Sequence, residues 1–355
     1  MSNLSLNIEK RKFDKKAISK NIGSASFSIV LAFIISSIIV TLMGESPIKA
    51  FTALFRGAFG NQRAIFNTIE MSIPLMFTGL SVAFATKSGI FNIGAEGQFY
   101  MGAISSVIFA LTFNSLPRII LLPAMFIVGF LAGGLWGLIP GYLNAKAGIN
   151  QVIVCIMLNY IATLFTSYLV GGPFKAEGML AQTNEIPVVA RLVRYTNNSQ
   201  LTNAILIALF IILIAYILLF KTSLGYKIRA VGMNITAAEA AGIKTDRIVI
   251  LSSVISGGIA ALAGVTEVSG KYYRVVENFS TGYGFTGIAV SVLAKDNPFA
   301  IIFTALLFGM LDSGALTMTM ETSVSPSLIK VIQSLIILFV AAPRIIEIIS
   351  KKGSK

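Results

Sequence analysis

The stretch that decides the fold is GYKIRAVGMNITAAEAAGIKTDR, at Gly225–Arg247. It is charged and helix-prone, and long apolar runs at 201–220 and 247–268 flank it. An apolar run of about 20 residues is long enough to cross a bilayer as a helix. The pattern therefore predicts a water-exposed segment between two transmembrane helices.

The composition of the whole chain agrees with a membrane protein. Of the 355 residues, 55% are hydrophobic and only 12% are charged, and apolar runs of helical length recur along the sequence. Inside lipid every backbone donor and acceptor needs an internal partner, and these runs are too long for the strands of a barrel. We therefore expect an all-α fold, a polytopic bundle of transmembrane helices.

About ten spans are predicted. They lie at about 27–43, 65–86, 90–113, 119–143, 151–170, 201–220, 247–268, 279–294, 297–317 and 327–346. The 279–294 run would measure only about 24 Å as a helix, so we expect it to be tilted, broken or re-entrant. An even number of crossings places both termini on one side, and their basic residues favour the cytoplasm.

The expected domain organisation follows from these spans. A basic cytoplasmic segment at 1–26 precedes a transmembrane domain at 27–346, and a basic cytoplasmic tail follows at 347–355. Within the transmembrane domain we expect an outer loop at 171–200 and a cytoplasmic loop at 221–247. The outer loops are expected to form surface structure that receives a partner.

Charge and residue usage argue against several functional classes. The net charge of +13 comes from basic residues that lie mostly at the predicted membrane borders, where lipid, and not nucleic acid, is the expected partner. The chain has no histidine, and Cys155 is its one cysteine. No metal site and no bound cofactor are predicted, and an enzyme is poorly supported.

One segment resembles a phosphate-binding loop at first sight. It reads GVTEVSGK, at Gly264–Lys271. Five residues separate its glycines where the motif has four, and Tyr272 stands where Ser or Thr would bind magnesium. We therefore reject it, and if ATP drives this protein another chain hydrolyses the nucleotide.

The most informative membrane stretch is KSGIFNIGAEGQ, at Lys87–Gln98. Asn92, Glu96 and Gln98 are costly in hydrocarbon, so they are expected to face a bundle interior or water. One interpretation is a broken helix that lines a translocation pathway. The other is an interfacial turn whose polar groups satisfy the backbone.

Further polar residues lie inside predicted spans. Asn159 and Tyr160 pair an amide with an aromatic ring, which suits a planar polar solute, although an interhelical hydrogen bond explains Asn159 equally well. Glu70, Asp312 and Gln333 are further cavity-lining residues in this interpretation, but the two carboxylates would be cheap if they lay near the outer border.

The fourth predicted span carries a glycine every fourth residue, which places the glycines on one helix face. We expect this face to pack closely against another helix. The glycines are Gly129, Gly133, Gly137 and Gly141.

The charged segment has its own helix signals. Thr236 and Glu239 fit a capping box, the intervening alanines favour helix, and Gly242 suits its end. We expect a helix of about two turns near 236–242, outside the bilayer. A helix this short needs a surface to dock on. An ordinary cytoplasmic loop is the alternative.

Four stretches together resemble the permease subunits of bacterial ABC importers, in the branch for branched-chain amino acids, ribose-type sugars and nucleosides. They are GIFNIGAEGQ (Gly89–Gln98), KIRAVGMNITAAEAAGI (Lys227–Ile243), SGGIAALAG (Ser256–Gly264) and GYGFTGIAVSVLA (Gly282–Ala294). The residues of these stretches are most similar to those of nucleoside and simple-sugar permeases.

The resemblance implies a division of labour. Two permease chains, identical or homologous, form the pathway in the bacterial cytoplasmic membrane, cytoplasmic ATPases drive it, and an external binding protein delivers the solute. The 236–241 helix would dock on the ATPase, with Arg229 and Glu239 as polar contacts. The family often has proline after Asn234, and this chain has Ile235, so the helix cap is either Asn234 or Thr236.

The expected function is therefore nucleoside import, with a simple sugar as the nearest alternative. A neutral, polyhydroxylated solute needs amides, hydroxyls and aromatic faces along its path. The predicted pathway residues are Asn92, Glu96, Gln98, Asn159, Tyr160, Tyr283 and Phe285. A self-sufficient secondary transporter or channel is a different class, for which the sequence shows neither a paired ion site nor clear inverted repeats.

Overall fold

A computed structural model describes residues 30–196, 199–325 and 327–341, and this part of the chain is almost entirely helical. Its β-structure is limited to two isolated bridges, Gln182 to Val276 and Arg194 to Thr202. The helices are α1 (Val30–Leu42), α2 (Pro47–Phe59), α3 (Gln62–Thr86), α4 (Ala95–Thr112), α5 (Arg118–Ala147), α6 (Gln151–Gly171), α7 (Ala204–Lys221), α8 (Ser223–Met233), α9 (Ile235–Ala240), α10 (Thr245–Glu267), α11 (Tyr283–Leu293), α12 (Pro298–Glu321) and α13 (Ser327–Ala341).

The predicted polytopic helical bundle is confirmed. Within the described residues six helices are long and apolar enough to cross a membrane, namely α3, α5, α6, α7, α12 and α10 with the π-helical turn that continues it to Tyr272. The number of about ten spans stays a prediction. Residues 27–29 and 342–346 of the first and last predicted spans, and the two terminal segments, lie outside the described residues.

Two helices form the centre of the bundle. In α3 and α10 the most apolar windows are 89% and 78% buried inside the chain, whereas that of α6 is only 22% buried. A helix that is apolar on all sides and covered by its neighbours belongs to a core, and one that is apolar but uncovered faces lipid. α3 and α10 therefore position the interior polar groups, and α6 lies at the periphery.

The predicted glycine face packs α5 against α10. A Cβ atom at Gly133 would lie 2.2 Å from the Cβ of Ala261, and one at Gly257 would lie 2.4 Å from the carbonyl oxygen of Gly133. Real Cβ atoms do not approach so closely, so the two helix backbones meet because these side chains are missing. The packing interpretation is confirmed.

The short helix predicted near 279–294 is present as α11. It has 11 residues, which is about 16 Å of helix and too little to cross a bilayer. Gly282 precedes it with φ +90°, a left-handed conformation that glycine adopts without strain. Residues 273–282 connect it to the π-helical turn Val268–Tyr272. The first two residues of α11, Tyr283 and Gly284, are buried, so the helix starts inside the bundle.

The sequence did not predict two of the shorter helices. α2 lies in the first predicted outer loop and buries Ala50, Ala53 and Leu54. α8 occupies the first half of the charged segment, where the Thr222 side chain accepts a hydrogen bond from the amide of Gly225. Both helices carry charged residues among their apolar ones, and this spacing hides them in a search for continuous apolar runs.

Contacts between helix ends define two faces of the bundle. At the α9 face, Lys146 at the end of α5 lies 2.6 Å from Asp246 at the start of α10. At the loop face, Arg118 at the start of α5 donates a hydrogen bond to the carbonyl of Arg191, in the 172–203 loop between α6 and α7.

Candidate functional site

A buried network of amides and hydroxyls joins the 87–94 segment to three helices of the core, α3, α4 and α10. The side-chain nitrogen of Asn92 lies 2.8 Å from both Gln98 Oε1 and Ser256 Oγ, and 3.1 Å from Ser81 Oγ. Each such bond contributes about 0.5–1.5 kcal/mol net, and a buried polar group left unpaired costs more. This amide network, Ser81, Asn92, Gln98 and Ser256, fixes the 87–94 segment against α3 and α10.

Asn159 joins α6 to the same region. Its Oδ1 accepts a hydrogen bond from the amide of Gly97 at 2.8 Å, and its Nδ2 donates to the carbonyl of Ile93 at 3.0 Å. A Cβ atom at Gly97 would lie 2.9 Å from Asn159 Oδ1, so glycine is needed for this approach. The interhelical hydrogen bond expected as one explanation of Asn159 is therefore present, and its contact with a solute stays a prediction.

The Glu96 carboxylate binds the N-terminus of α11. Its Oε2 accepts a hydrogen bond from the amide of Gly284 at 2.7 Å, in the first turn of α11. A helix N-terminus presents unpaired amides and a partial positive charge, both of which favour a carboxylate. A Cβ atom at Gly284 would lie 2.2 Å from the backbone nitrogen of Glu96, so α4 and α11 are in backbone contact here.

The three predicted aromatic residues lie in different places. Tyr160 on α6 is 67% exposed and Phe285 on α11 is 51% exposed, whereas Tyr283 is buried. Tyr283 lines a cavity of about 290 Å³, which we call the Tyr283 cavity. The structure thus brings Asn92, Gln98, Asn159 and Glu96 close together, and it leaves Tyr160 and Phe285 on the surface of this single chain.

The Tyr283 cavity contains polar residues that the predicted pathway set missed. Its lining consists of Met71, Lys271, Tyr272, Thr281, Tyr283, Asp312, Ala315, Ile329 and Lys330. Asp312 accepts a hydrogen bond from Gln333 at 2.9 Å and lies 3.9 Å from Lys330 Nζ. Lys271 was visible in the sequence within the rejected phosphate-loop segment, where a lysine after an apolar run was the available signal.

Of the two caps that the sequence left open for α9, Asn234 and Thr236, the structure has Asn234, and the predicted capping box of Thr236 with Glu239 is wrong. The cap is Asn234, whose Oδ1 accepts a hydrogen bond from the amide of Ala237 at 3.0 Å. Glu239 does not return to the helix start as a capping box requires, because its Oε1 accepts from the hydroxyl of Thr245 at 2.8 Å. Gly242 follows the helix with φ +78°, as expected for the residue that ends it.

The surface beside α9 is open and charged. A cavity of about 520 Å³ there is lined by Lys146, Glu239, Gly242, Ile243, Lys244, Thr245, Asp246 and Arg247. Arg229, the other predicted polar contact, donates to the carbonyl of Leu219 at 2.8 Å and lies over the ring of Phe220 at 5.0 Å. Its described contacts therefore bind α8 to the end of α7.

A close backbone contact links α8 to the interior. A Cβ atom at Gly232 would lie 2.3 Å from the carbonyl oxygen of Lys87 and 2.9 Å from the amide nitrogen of Gly89. Gly89 itself has φ +81°. The segment that leads to Asn92 therefore rests directly on the helix that precedes α9.

Known proteins to which this chain is similar include permeases of transport systems. Residues 64–341 match the family described as branched-chain amino acid transport system / permease component. The chain is 38% identical to the nucleoside ABC transporter permease protein NupB of Lactococcus lactis, over 92% of each chain. It is 35% identical to the guanosine ABC transporter permease protein NupP of Bacillus subtilis, over 92% of this chain and 95% of that one. Identity to the glucose ABC transporter permease protein TsgB13 of Haloferax volcanii is 29%, over 89% and 86% of the two chains.

Proposed function

Since this chain belongs to the family of branched-chain amino acid transport system permease components, we propose that it is the membrane subunit of an ATP-driven ABC importer for nucleosides. The observation that carries the proposal is its 38% identity to a nucleoside permease over 92% of both chains. Similarity along the whole length covers the pathway and the coupling segment alike. A function that depends on both is therefore the one best supported.

The division of labour places ATP hydrolysis on a partner. The chain itself would bind no ATP and need no cofactor, since its phosphate-loop-like segment, Gly264–Lys271, forms the end of α10 and the π-helical turn. The α9 helix supports the docking of a cytoplasmic ATPase, because it projects Thr236 and Glu239 at the surface beside a charged cavity. Arg229, Asn234 and Gly242 would shape this surface, Arg229 by holding α8 to the end of α7, Asn234 by capping α9 and Gly242 by ending it.

Sidedness follows from the docking role. The α9 face would be cytoplasmic, together with the basic segments at 1–26 and 347–355, and the 221–247 loop would be the coupling loop of a permease domain at 27–346. The loop face would be external. There the 172–203 loop is held by ion pairs of Glu185 with Arg191 and Arg274, which suits a surface that receives a binding protein.

A second permease chain would complete the pathway. Thr281 and Lys330 line the Tyr283 cavity and are exposed on this single chain, and Phe285 is exposed on the same helix as Tyr283. A cavity that is open along one side of a membrane chain would contact lipid unless a partner covered it. An identical or homologous permease, packed along α11 and α13, would close it.

We favour a nucleoside over a sugar as the solute because the chain is more similar to the relatives named for nucleosides. The two relatives named for nucleosides or guanosine are 38% and 35% identical, and the one named for glucose is 29% identical. A simple sugar is therefore the second candidate. It shares the hydroxyl groups of a ribose and lacks the planar base.

Uptake by the reconstituted importer tests the proposal. Vesicles carrying this chain, its ATPase and its binding protein should take up labelled guanosine only with ATP inside the compartment that holds the ATPase. A variant ATPase that binds but does not hydrolyse ATP is the matched control. Uptake that continues with this control and follows an ion gradient would contradict the proposal and support a secondary transporter. Uptake of glucose but not guanosine would support the sugar alternative.

A further inference from the structure

A charged cluster lies inside the bundle where α10 ends. Lys271, in the π-helical turn, has its Nζ 3.0 Å from Glu70 Oε1 on α3 and 3.8 Å from Glu267 Oε2 on α10. The three side chains are only 15%, 8% and 5% exposed. We call Glu70, Glu267 and Lys271 the lysine cluster.

Such a cluster is costly and therefore calls for a reason. Charged side chains in membrane helices usually face a bundle interior or a water-filled path and mark sites where solutes pass. π-helical turns are rare in proteins, and those that occur are often found at functional sites. Two carboxylates also share one ammonium group, so the cluster has more acceptor oxygens than the lysine can serve.

Two cavities meet at this cluster. One is the Tyr283 cavity, and the other, of about 310 Å³, opens to the loop face; we call it the Arg194 cavity. The Arg194 cavity is lined by Arg63, Asn67, Glu70, Met71, Arg194, Ser199, Gln200 and Lys271. Met71 and Lys271 line both cavities. They therefore stand at the boundary between the two cavities, which we call the neck.

The chemistry of the neck suits a nucleoside. Each cavity has about the volume of a small-ligand site. The carboxylate of Glu70 can accept hydrogen bonds from a pair of ribose hydroxyls, and the ammonium of Lys271 can donate to a solute oxygen. On the far side of the neck, Tyr272 and Tyr283 offer aromatic surface for a planar base.

We propose that Glu70 and Lys271 form the point at which the permease recognises the ribose of a nucleoside as it passes from the Arg194 cavity to the Tyr283 cavity. The solute hydroxyls take the place of the lysine on Glu70, and the Glu70–Lys271 pair closes again behind the solute. This inference rests on the proposed function. It adds which residues of the permease recognise the solute and which part of the solute they bind.

The chain offers a matched control for this role. Glu267 is as buried as Glu70 and also faces Lys271, but it lines neither large cavity. The cavity that it does line has a volume of about 10 Å³, too small for a nucleoside. Glu70→Gln leaves Lys271 paired with Glu267, and Glu267→Gln leaves it paired with Glu70, so each variant keeps one neutral pair in the core.

The experiment measures guanosine uptake by the complete importer with each variant. Glu70→Gln should raise the KM for uptake about tenfold, because the solute hydroxyls then donate to a neutral amide oxygen and no longer to a charged carboxylate. Glu267→Gln should change it less than about twofold. Equal effects of the two variants, with equal amounts of assembled importer, would overturn the inference and leave the cluster a structural ion pair.

A second measurement identifies the part of the solute that is read. The wild-type importer should prefer guanosine to 2′,3′-dideoxyguanosine more strongly than the Glu70→Gln variant does, by about fivefold or more. The wild-type and variant importers use the same binding protein. Its own preference for guanosine therefore cancels when the preferences of the two importers are divided. An unchanged ratio would overturn the inference. Absence of ATP-dependent guanosine uptake by the wild type would instead contradict the proposed function.

Discussion

The carboxylate of Glu96 accepts a hydrogen bond from the backbone amide of Gly284 at 2.7 Å, and so joins the first turn of α4 to the first turn of α11. These residues are 188 positions apart in the chain. Because α11 starts inside the bundle, water is not at hand to satisfy its first amides. The start of α11 therefore depends on a side chain from an element far away in sequence.

Replacing Glu96 should destabilise the fold in a graded way. Glu96→Gln keeps an acceptor but loses the favourable charge at the helix N-terminus, at a cost of about 0.3–2 kcal/mol. Glu96→Ala also leaves the amide of Gly284 unpaired, at a cost of about 1–3 kcal/mol. In thermal unfolding of the purified protein in detergent, the wild type should have the highest Tm, Glu96→Gln a lower one and Glu96→Ala the lowest. An alanine variant with the Tm of the wild type would contradict this role.

The sequence predicted the features that depend on local composition. Continuous apolar runs identified the bundle, the shortness of the 279–294 run identified α11, and the alanines before Gly242 identified α9. α2 and α8 were missed because their stability comes from packing of a partly charged surface. The cap at Asn234 could be chosen over Thr236 only when the backbone conformation was known.

The site was harder to predict because its contacts join distant segments. The sequence marked Asn92, Glu96 and Gln98 as costly in lipid, and all three are buried with partners. No local pattern indicates that Glu96 reaches Gly284, or that Lys271 reaches Glu70. Hydrogen bonds and ion pairs of this kind follow from the three-dimensional order of the helices.

The cap of α9 gives a prediction on coupling. Asn234→Ala removes the acceptor for the amide of Ala237, at a cost of about 0.5–2 kcal/mol to a helix of only six residues. We expect the ATPase to bind this variant several-fold more weakly in a co-purification or titration assay. Thr236→Ala is the comparison, since Thr236 is exposed and is not the cap, and it should weaken binding less. The opposite order would mean that the Thr236 hydroxyl, and not the cap, carries the docking.

The 172–203 loop at the loop face should be held less tightly in acid, because its ion pairs depend on the charge of Glu185. A hydrogen bond from the Arg191 side chain, helped by the charge of Arg274, lowers the pKa of the Glu185 carboxyl below its ordinary value of 4.5. A lowered folded pKa means that the pairing stabilises the loop fully above the ordinary value and is lost as the pH falls through the folded pKa. Limited proteolysis of the 172–203 loop should therefore speed up as the pH falls below the ordinary value of 4.5 and through the lowered pKa of Glu185.

Glu185→Gln provides the control for this pH dependence. The variant should be cleaved faster than the wild type at neutral pH and should show a smaller further increase in acid. The pair is largely exposed, so added salt should reduce the difference between the two proteins at neutral pH. Equal cleavage of both proteins at every pH would show that the ion pairs do not hold the loop.

The contact of Gly232 with Lys87 predicts how coupling can be broken without loss of docking. A methyl group at Gly232 would lie 2.3 Å from the carbonyl oxygen of Lys87, so Gly232→Ala must push α8 away from the 87–94 segment. We expect the ATPase to bind and hydrolyse ATP, while guanosine uptake per ATP falls about tenfold. Lys227→Ala, on the exposed side of the same helix, should keep the wild-type ratio. A normal ratio in Gly232→Ala would mean that motion of α9 reaches the interior by another route, such as the hydrogen bond between Glu239 and Thr245 at the start of α10.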